Sequence, residues 1–145
     1  MSDRILIQIS PEDAELFPAK QHESDAAYDL RSTRAMTIQP GEFAGVPTGI
    51  RMQLPHGFVA EVRPRSGLAL KKGISVLNTP GTIDSGYRGE VFAILVNHGR
   101  EPFEIQRGDR IAQLLFQRLP DTELARVETL EDSDRGANGL GSTGV

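Results

Sequence analysis

Apolar and polar side chains alternate along several short segments of the chain. Residues 5–9 place isoleucine at every second position, and residues 50–54 and 58–63 repeat this spacing with other apolar side chains. A period of two residues is typical of a β-strand that buries one face. Fifteen glycines and nine prolines lie between such segments and favour turns. The pattern therefore predicts many short strands.

Two further segments are apolar at nearly every position. Residues 91–96 read VFAILV, which predicts a central strand covered on both faces, either within the chain or by a neighbouring subunit. Residues 111–116 are similar apart from Gln113, a polar side chain that needs a partner in such a strand. Gln113 is therefore a candidate functional residue, although an ordinary buried polar group would look the same.

One segment has the signals of a helix. Ser66 is predicted to be the N-cap, residues 67–72 end in two lysines, and Gly73 is expected to end the helix. Such a helix spans barely two turns. We therefore predict an all-β fold, a jelly-roll-like β-sandwich or barrel with one very short helix.

Length and composition suit one globular domain. The chain has 145 residues, of which 38% are hydrophobic and 25% charged, enough for a packed core and too balanced for a disordered chain. After residue 129 the sequence becomes acidic and then glycine-rich. We expect a β domain over residues 1–130 and a flexible tail over residues 131–145.

The composition also excludes several kinds of function. Cysteine is absent, so disulfides, thiolate metal sites and cysteine nucleophiles are excluded. The formal net charge is −4 and no basic patch is evident, which argues against a nucleic-acid partner. No apolar run approaches the roughly 18 residues that cross a bilayer. We expect a soluble cytoplasmic protein without a membrane partner.

Three segments carry side chains that suit anion binding or catalysis. The first, residues 63–67, places Arg65 and Ser66 at the start of the predicted helix, where free backbone N–H groups favour a phosphate. Taken alone, a capping serine and solvent-exposed arginines explain this segment slightly better.

The glycine-rich tail is the second segment. Arg135, followed by glycines and by Ser142 and Thr143, supplies donors of the kind that surround phosphates in loop-type sites. A frayed, solvated chain end is the commoner explanation of this composition.

The third segment, residues 78–89, is turn-rich and is predicted to form a hairpin with Asp84 and Tyr87 three residues apart. Asp84 could act as a base. Alternatively, Asp84 forms an Asx turn and Tyr87 packs on the sheet. Asp29 is a weaker candidate of the same kind.

Read together and in order, five segments resemble the motifs of the homotrimeric deoxyuridine triphosphatases, or dUTPases. They are residues 26–32 (AAYDLRS), 63–69 (RPRSGLA), 81–91 (GTIDSGYRGEV), 107–116 (RGDRIAQLLF) and 135–144 (RGANGLGSTG). The resemblance implies a jelly-roll trimer that hydrolyses dUTP to dUMP and pyrophosphate. Such activity limits uracil incorporation into DNA and supplies dUMP for thymidylate synthesis. It also implies active sites shared between subunits, with the fifth motif as a mobile lid.

The same resemblance assigns roles to the candidate residues. Asp84 would hold and deprotonate the water that attacks the α-phosphorus, mainly by keeping it in line, since a carboxylate is a weak base at neutral pH. Asp29 would contact, through water, a Mg²⁺ ion that bridges the phosphates. The other residues would bind substrate: Arg65, Ser66, Gly67 and Gln113 at the phosphates, Asn78, Thr82, Ile83, Tyr87 and Phe92 at the uracil and deoxyribose, and Arg135, Ser142 and Thr143 at the γ-phosphate.

Uracil carries an acceptor at O4 and a donor at N3, and cytosine reverses that pattern. Because the Asn78 amide can present either end, fixed backbone groups of the segment would make most of the selection. Tyr87 would lie against the deoxyribose and exclude a 2′-hydroxyl.

The fifth motif departs from the family at two positions. Asn138 stands where glycine is usual, Ala137 precedes it, and Leu140 replaces an aromatic ring that normally covers the uracil. Base stacking on an aromatic ring is worth roughly 1–3 kcal/mol, so lid closure is expected to be weaker or differently driven in this chain.

Two other functions remain open at this point. A dCTP deaminase-like enzyme shares the fold but acts on the base, and Asp84 together with the phosphate-closing tail argues against it. A dUTP-sensing module would keep the pocket without turnover, which the altered lid permits.

Overall fold

A computed structural model describes residues 3–144 and contains eleven strands and one α-helix. Met1, Ser2 and Val145, which belong to the predicted domain and tail, lie outside the described residues. The helix α1 spans Ser66–Lys72. The strands are β1 Leu6–Ile9, β2 Tyr28–Arg31, β3 Met36–Ile38, β4 Phe43–Pro47, β5 Ile50–Gln53, β6 Phe58–Arg63, β7 Ile74–Val76, β8 Gly81–Asp84, β9 Phe92–Asn97, β10 Phe103–Ile105 and β11 Arg110–Arg118.

The strands form four small antiparallel sheets around one core. The largest sheet has the order β2-β11-β6-β8, and a three-stranded sheet has the order β4-β9-β7. Strand pairs β1-β5 and β10-β3 complete the set. The prediction of an all-β fold with little helix is confirmed. Most of the candidate residues outside the tail lie on or beside the four-stranded sheet, which therefore positions the site.

Side-chain alternation along the strands follows the predicted pattern. On β5 and just after it, Ile50, Met52 and Leu54 are buried, whereas Arg51 and Gln53 are exposed. Alternation occurs because successive side chains of a strand point to opposite faces of the sheet. The inward-pointing residues join one continuous core with members from all four sheets.

Strand β9 is the predicted central strand, since it pairs with β4 on one side and β7 on the other. Its inward side chains Ala93 and Leu95 are buried, but Phe92 on the other face is 48% exposed. Within this chain the strand is therefore covered fully on one face. On the second face, Val96 is buried within the chain and Phe92 is exposed.

Helix α1 ends as predicted and starts differently. Gly73 adopts the left-handed conformation, with φ 68°, and its N–H donates to the Ala69 carbonyl. The N-cap is Arg65, not Ser66, and Arg65 makes no side-chain capping bond among residues 3–144. The capping prediction for Ser66 is wrong because Arg65, which follows a proline, is the last extended residue, so Ser66 is already helical.

A second short helix was not predicted. A 3-10 helix spans Pro11–Leu16, so the expectation of a single helix is wrong. Its start has favourable signals that the strand pattern obscured: proline in the first turn, then two acidic residues. Arg107 fixes it to the body through bonds to Asp13 and Glu15. Backbone hydrogen bonding and, after it, this Arg107 contact lower the pKa of the Glu15 carboxyl.

Beyond β11 the chain leaves the folded body. Residues 119–144 form neither helix nor strand and are exposed throughout. Three of their apolar side chains are largely open to solvent, Leu124 at 98%, Leu130 at 85% and Leu140 at 108%. Within the described part of the chain, neither helix has the length or apolar character to cross a membrane.

Candidate active site

The candidate residues of the folded body form two groups, one across β2, β11 and the start of α1 and the other beside β8 and β9. We call the first group, Asp29, Arg65, Ser66, Gly67 and Gln113, the polar end. The second group lies around a cleft between β8 and β9, which we call the β8–β9 cleft.

Strand β6 runs past both groups and sets the distance between them. Arg63 on β6 pairs with Gln113 on β11, and Val59 on β6 pairs with Asp84 on β8. These two β6 positions are four residues, or about 13 Å, apart along the strand. They also face partners on opposite sides of it. One chain by itself therefore holds Asp84 away from the polar end.

At the polar end, Gln113 has the polar neighbours that its position in an apolar strand requires. It is half-buried and lies opposite Asp29 on β2 and Arg63 on β6. Three polar side chains thus lie side by side across three strands. This arrangement can present the Gln113 amide to an anion, whereas the Arg63 guanidinium is bonded to Glu61 Oε2 at 2.9 and 2.6 Å.

Asp29 is the most constrained residue of the polar end. It is 7% exposed, its Oδ2 accepts a hydrogen bond from Gln21 Nε2 at 3.0 Å, and the Arg110 guanidinium lies 3.8 Å from the same oxygen. Neither Gln21 nor Arg110 was identified as a site residue from the sequence. Gln21 lies outside every motif, so no sequence signal indicated it.

Arg65, Ser66 and Gly67 lie where β6 leads into α1. The Arg65 guanidinium donates to the Arg110 carbonyl at 2.9 Å, which fixes this segment to β11. Ala69 is the first residue whose N–H bonds back to the helix start, at the Arg65 carbonyl. Because Ser66 and Gly67 precede it and are exposed, their N–H groups are left for another acceptor.

The predicted hairpin over residues 78–89 does not form. Strand β8 pairs with β6, whereas β9 pairs with β4 and β7, so the two strands belong to different sheets. Within residues 3–144 the second edge of β8 has no partner strand. A cleft of about 240 Å³ opens instead, lined by Thr82, Ile83, Asp84, Tyr87, Glu90, Val91, Phe92 and Ile94.

The β8–β9 cleft combines apolar walls with an unpaired backbone edge. Phe92 and Ile83 supply apolar surface, and Tyr87 is held across the entrance because its hydroxyl donates to the Glu90 carbonyl at 3.0 Å. Such a cleft suits a flat heterocycle that exchanges hydrogen bonds with backbone groups. Asn78 is exposed, just before β8, with its amide about 3.5 Å from where a Cβ on Gly81 would be.

Two carboxylates give the cleft negative character. Asp84 lines it, and Glu90, which sequence reasoning missed, places a buried Oε2 there that accepts no hydrogen bond from a residue in the described range. Phosphates are repelled by such a lining. A bound nucleotide would therefore direct its base into the cleft and its phosphates away from it.

Asp84 also borders a second cavity. A space of about 540 Å³ lies between the loop at His56, the end of β8 and the chain after Leu119. Asp84 is thus exposed between two cavities, with room for a reactant on its far side. The cavity is large enough to admit part of another chain.

The tail carries the remaining candidates and folds into successive turns. The Arg135 Nε donates to the Asn138 carbonyl at 2.7 Å, and the Ser142 N–H donates to the Gly139 carbonyl at 3.0 Å. Arg135, Ser142 and Thr143 are all exposed. The structure does not bring them to either half of the site within one chain.

The donor set does not amount to an all-protein metal cage. Among residues 3–144 there is no group of three or more histidine, cysteine, aspartate or glutamate side chains placed to hold a metal. Asp29 offers a buried carboxylate opposite Gln113, whereas the nearby Glu61 carboxylate is paired with Arg63. That fits a hydrated ion such as Mg²⁺, which keeps most of its waters and is held mainly by substrate phosphates.

An all-β chain with a basic, hydroxyl-bearing edge and a separate cleft for a flat ring has the features of a nucleotide-binding protein. Similarity to known proteins shows which family of this class the chain belongs to. The dUTPase family model matches residues 13–144. The chain is 49% identical over 138 residues to the deoxyuridine 5'-triphosphate nucleotidohydrolase of Clostridium tetani, covering 95% of this chain and 94% of that one. The chain belongs to the dUTPase family.

Solved structures agree with this assignment. The dUTPase of Staphylococcus bacteriophage 80alpha with dUPNHPP superposes with a TM-score of 0.89 at 26% identity, covering 99% of this chain and 100% of that one. A single-residue variant of the dUTPase from phage phi11 of S. aureus superposes with a TM-score of 0.80 at 24% identity, covering 90% of this chain and 100% of that one. That variant coordinates a structural Mg(II) ion. The second likeness concerns the fold alone.

Proposed function

We propose that this protein hydrolyses dUTP to dUMP and pyrophosphate. The observation that carries the proposal is the division of the site: a ring-sized cleft with an open backbone edge around Asp84, and a separate set of phosphate donors around Gln113. A nucleoside triphosphate is a ligand that needs both. Family membership supports uracil as the base and deoxyribose as the sugar.

The base is proposed to lie in the β8–β9 cleft. Backbone groups of β8 that face no partner strand would bond to O4 and N3 of uracil, and cytosine would meet mismatched donors and acceptors. Thr82, Ile83 and Phe92 would line the ring, with Asn78 at its edge. Tyr87, held by its bond to Glu90, would pack on the deoxyribose and leave no space for a 2′-hydroxyl.

The reaction is proposed to start from a water held by Asp84. The water oxygen attacks the α-phosphorus, the bond from that phosphorus to the α,β-bridging oxygen breaks, and pyrophosphate leaves. Asp84 takes the proton and fixes the direction of attack. Arg65, Ser66, Gly67 and Gln113 would bind the α- and β-phosphates, where their donors stabilise the charge that develops.

Mg²⁺ is proposed as the cofactor, with Asp29 as its protein contact through water. When bound, the ion supplies positive charge at the phosphate oxygens. The chain contributes a single fixed carboxylate whose second oxygen is free for such a water.

A homotrimer with shared sites is proposed because one chain separates the two halves. Phe92 and the apolar side chains after β11 are exposed in the single chain, which is unusual unless another chain covers them. A cyclic trimer would bring the polar end of one chain to the Asp84 of the next. Residues 131–145 would then close as a lid from the third chain, with Arg135, Ser142 and Thr143 at the γ-phosphate.

A substrate panel tests the activity. Each deoxynucleoside triphosphate, and UTP, is incubated with the protein and Mg²⁺, and pyrophosphate and ammonia are measured. We expect pyrophosphate from dUTP well above the other substrates. Ammonia from dCTP would indicate a deaminase, and dUTP binding without pyrophosphate would indicate a sensor; either result overturns the proposal.

Mixing two inactive variants tests whether sites are shared. Asp84→Asn disables the cleft side, and Gln113→Glu places a carboxylate among the phosphate donors. If the two residues act from different subunits, co-refolded mixtures recover about a quarter of wild-type activity, because each site samples the variants independently. Sites contained in one chain would recover none.

A further inference from the structure

We infer that Gln21 is a positioning residue that orients Asp29 toward the hydrated Mg²⁺ bound to the substrate phosphates. The inference rests on the proposed function and extends it to a residue outside all five motif segments. Gln21 itself would contact neither substrate nor metal. It acts through the carboxylate that it holds.

The contact geometry is specific to one oxygen of the carboxylate. The Gln21 amide donates to Asp29 Oδ2 at 3.0 Å, and the Arg110 guanidinium lies 3.8 Å from that same atom. Asp29 Oδ1 receives no hydrogen bond from any residue that the structure describes. One oxygen is therefore anchored and the other is left to bind water.

The segment that carries Gln21 is itself fixed against β2. Ala19 forms a bridge with Asp29, and the Asp29 N–H donates to the Ala19 carbonyl at 2.8 Å. The Lys20 ammonium lies 5.0 Å from the centre of the Tyr28 ring. These contacts place the Gln21 amide over Asp29 as a consequence of backbone pairing.

Removing the amide would leave Arg110 as the remaining partner of Oδ2. At 3.8 Å that ion pair is long, so the carboxylate would be free to rotate toward the guanidinium. Both oxygens would then compete for Arg110 and the orientation of Oδ1 would be lost. Residues that orient a metal ligand typically affect metal affinity in this way.

The test is Gln21→Met, which keeps the side-chain length and removes the donor. Mg²⁺ is titrated by calorimetry into protein saturated with α,β-imido-dUTP, a non-hydrolysable analogue. We expect the Kd of Mg²⁺ to rise about tenfold, the lower end of the range for loss of a residue that orients a metal contact. The Kd of the analogue measured in EDTA should stay unchanged, and kcat at saturating Mg²⁺ should match the wild type.

Gln39→Met is the matched control, because Gln39 is an exposed glutamine in the turn after β3. It should leave the Kd of Mg²⁺ unchanged. An unchanged Kd in Gln21→Met, or an equal loss of analogue binding in EDTA, would overturn the role of Gln21. Lack of dUTP turnover by the wild-type chain would overturn the proposed function instead, so the two failures are distinguishable.

Discussion

The four-stranded sheet carries most of the polar end and forms only one wall of the β8–β9 cleft, and the two regions are built in different ways. At the polar end the functional side chains already have partners: Asp29 is held by Gln21, and Arg65 is held by the Arg110 carbonyl. In the cleft, a strand edge lacks a partner strand among the described residues, and Asp84 is exposed. One half is preorganised within the chain, and the other is open.

This difference indicates which half needs other molecules to be complete. Charged groups that bind phosphates gain from being fixed before the ligand arrives, because ordering them later costs free energy. A cleft that reads a base through backbone groups must keep those groups unpaired until the base arrives. Loss of the exposed Asp84 carboxylate at the cleft should therefore impair the chemical step, and loss of a donor at the polar end should impair the binding of the phosphates.

The largest expected effect is at Asp84. In Asp84→Asn the amide keeps the shape but no longer accepts the proton of the attacking water, so kcat on dUTP should fall by about 10²- to 10⁴-fold. The Kd of α,β-imido-dUTP should change little, because the phosphates bind at the other half. Pyrophosphate release and calorimetry provide the two measurements. A loss of analogue binding that matches the loss of kcat would contradict the division of labour.

Ser66→Ala should have an intermediate effect at the polar end. Loss of one hydrogen bond to a charged phosphate should lower kcat/KM by about 10- to 100-fold. Because Arg65 rather than Ser66 is the N-cap, the free energy of unfolding should change by less than about 0.5 kcal/mol.

Denaturant unfolding and dUTP kinetics, measured on the same variant, distinguish a helix-capping role of Ser66 from a phosphate-binding role. A capping role would cost typically about 1 kcal/mol of stability. A stability loss of that size with normal kinetics would show that the serine is structural.

The smallest expected effect is a gain at the lid. Leu140→Phe restores a ring that can stack on the base, so kcat/KM on dUTP should rise roughly three- to tenfold. Leu130→Phe, at another exposed leucine just before the lid, is the control and should have no such effect. An unchanged or lower kcat/KM in Leu140→Phe would contradict the prediction that a ring at position 140 stacks on the base.

Much of the fold could be predicted from side-chain periodicity. Alternation around Met52 and the apolar run around Leu95 identified β5 and β9. A strand buried on one face alternates apolar and polar residues, and a strand buried on both faces is apolar throughout. The 3-10 helix at Pro11–Leu16 was missed because it is short and buries only Leu16. The Ser66 cap was misassigned by one residue, because the capping preference of a serine does not fix the exact residue at which helical backbone begins.

The candidate site was predictable where motifs carried it and not elsewhere. Gln113 was identified because a polar side chain in an apolar strand requires polar partners. The strand register places Asp29 and Arg63 opposite it. Gln21 and Glu90 were missed because only the folded chain brings Gln21 to Asp29 and Glu90 to the cleft. The hairpin at residues 78–89 was wrongly predicted because turn residues alone do not determine which strands pair.

The unpartnered edge of β8 has a consequence for the protein before substrate arrives. An open strand edge exchanges its amide protons readily and is a place where chains associate by edge-to-edge pairing. A uracil bonded to this edge would occupy hydrogen-bonding positions that a neighbouring strand would otherwise fill. Nucleotide binding should therefore slow hydrogen–deuterium exchange along Gly81–Asp84, making the ligand a temporary part of the sheet.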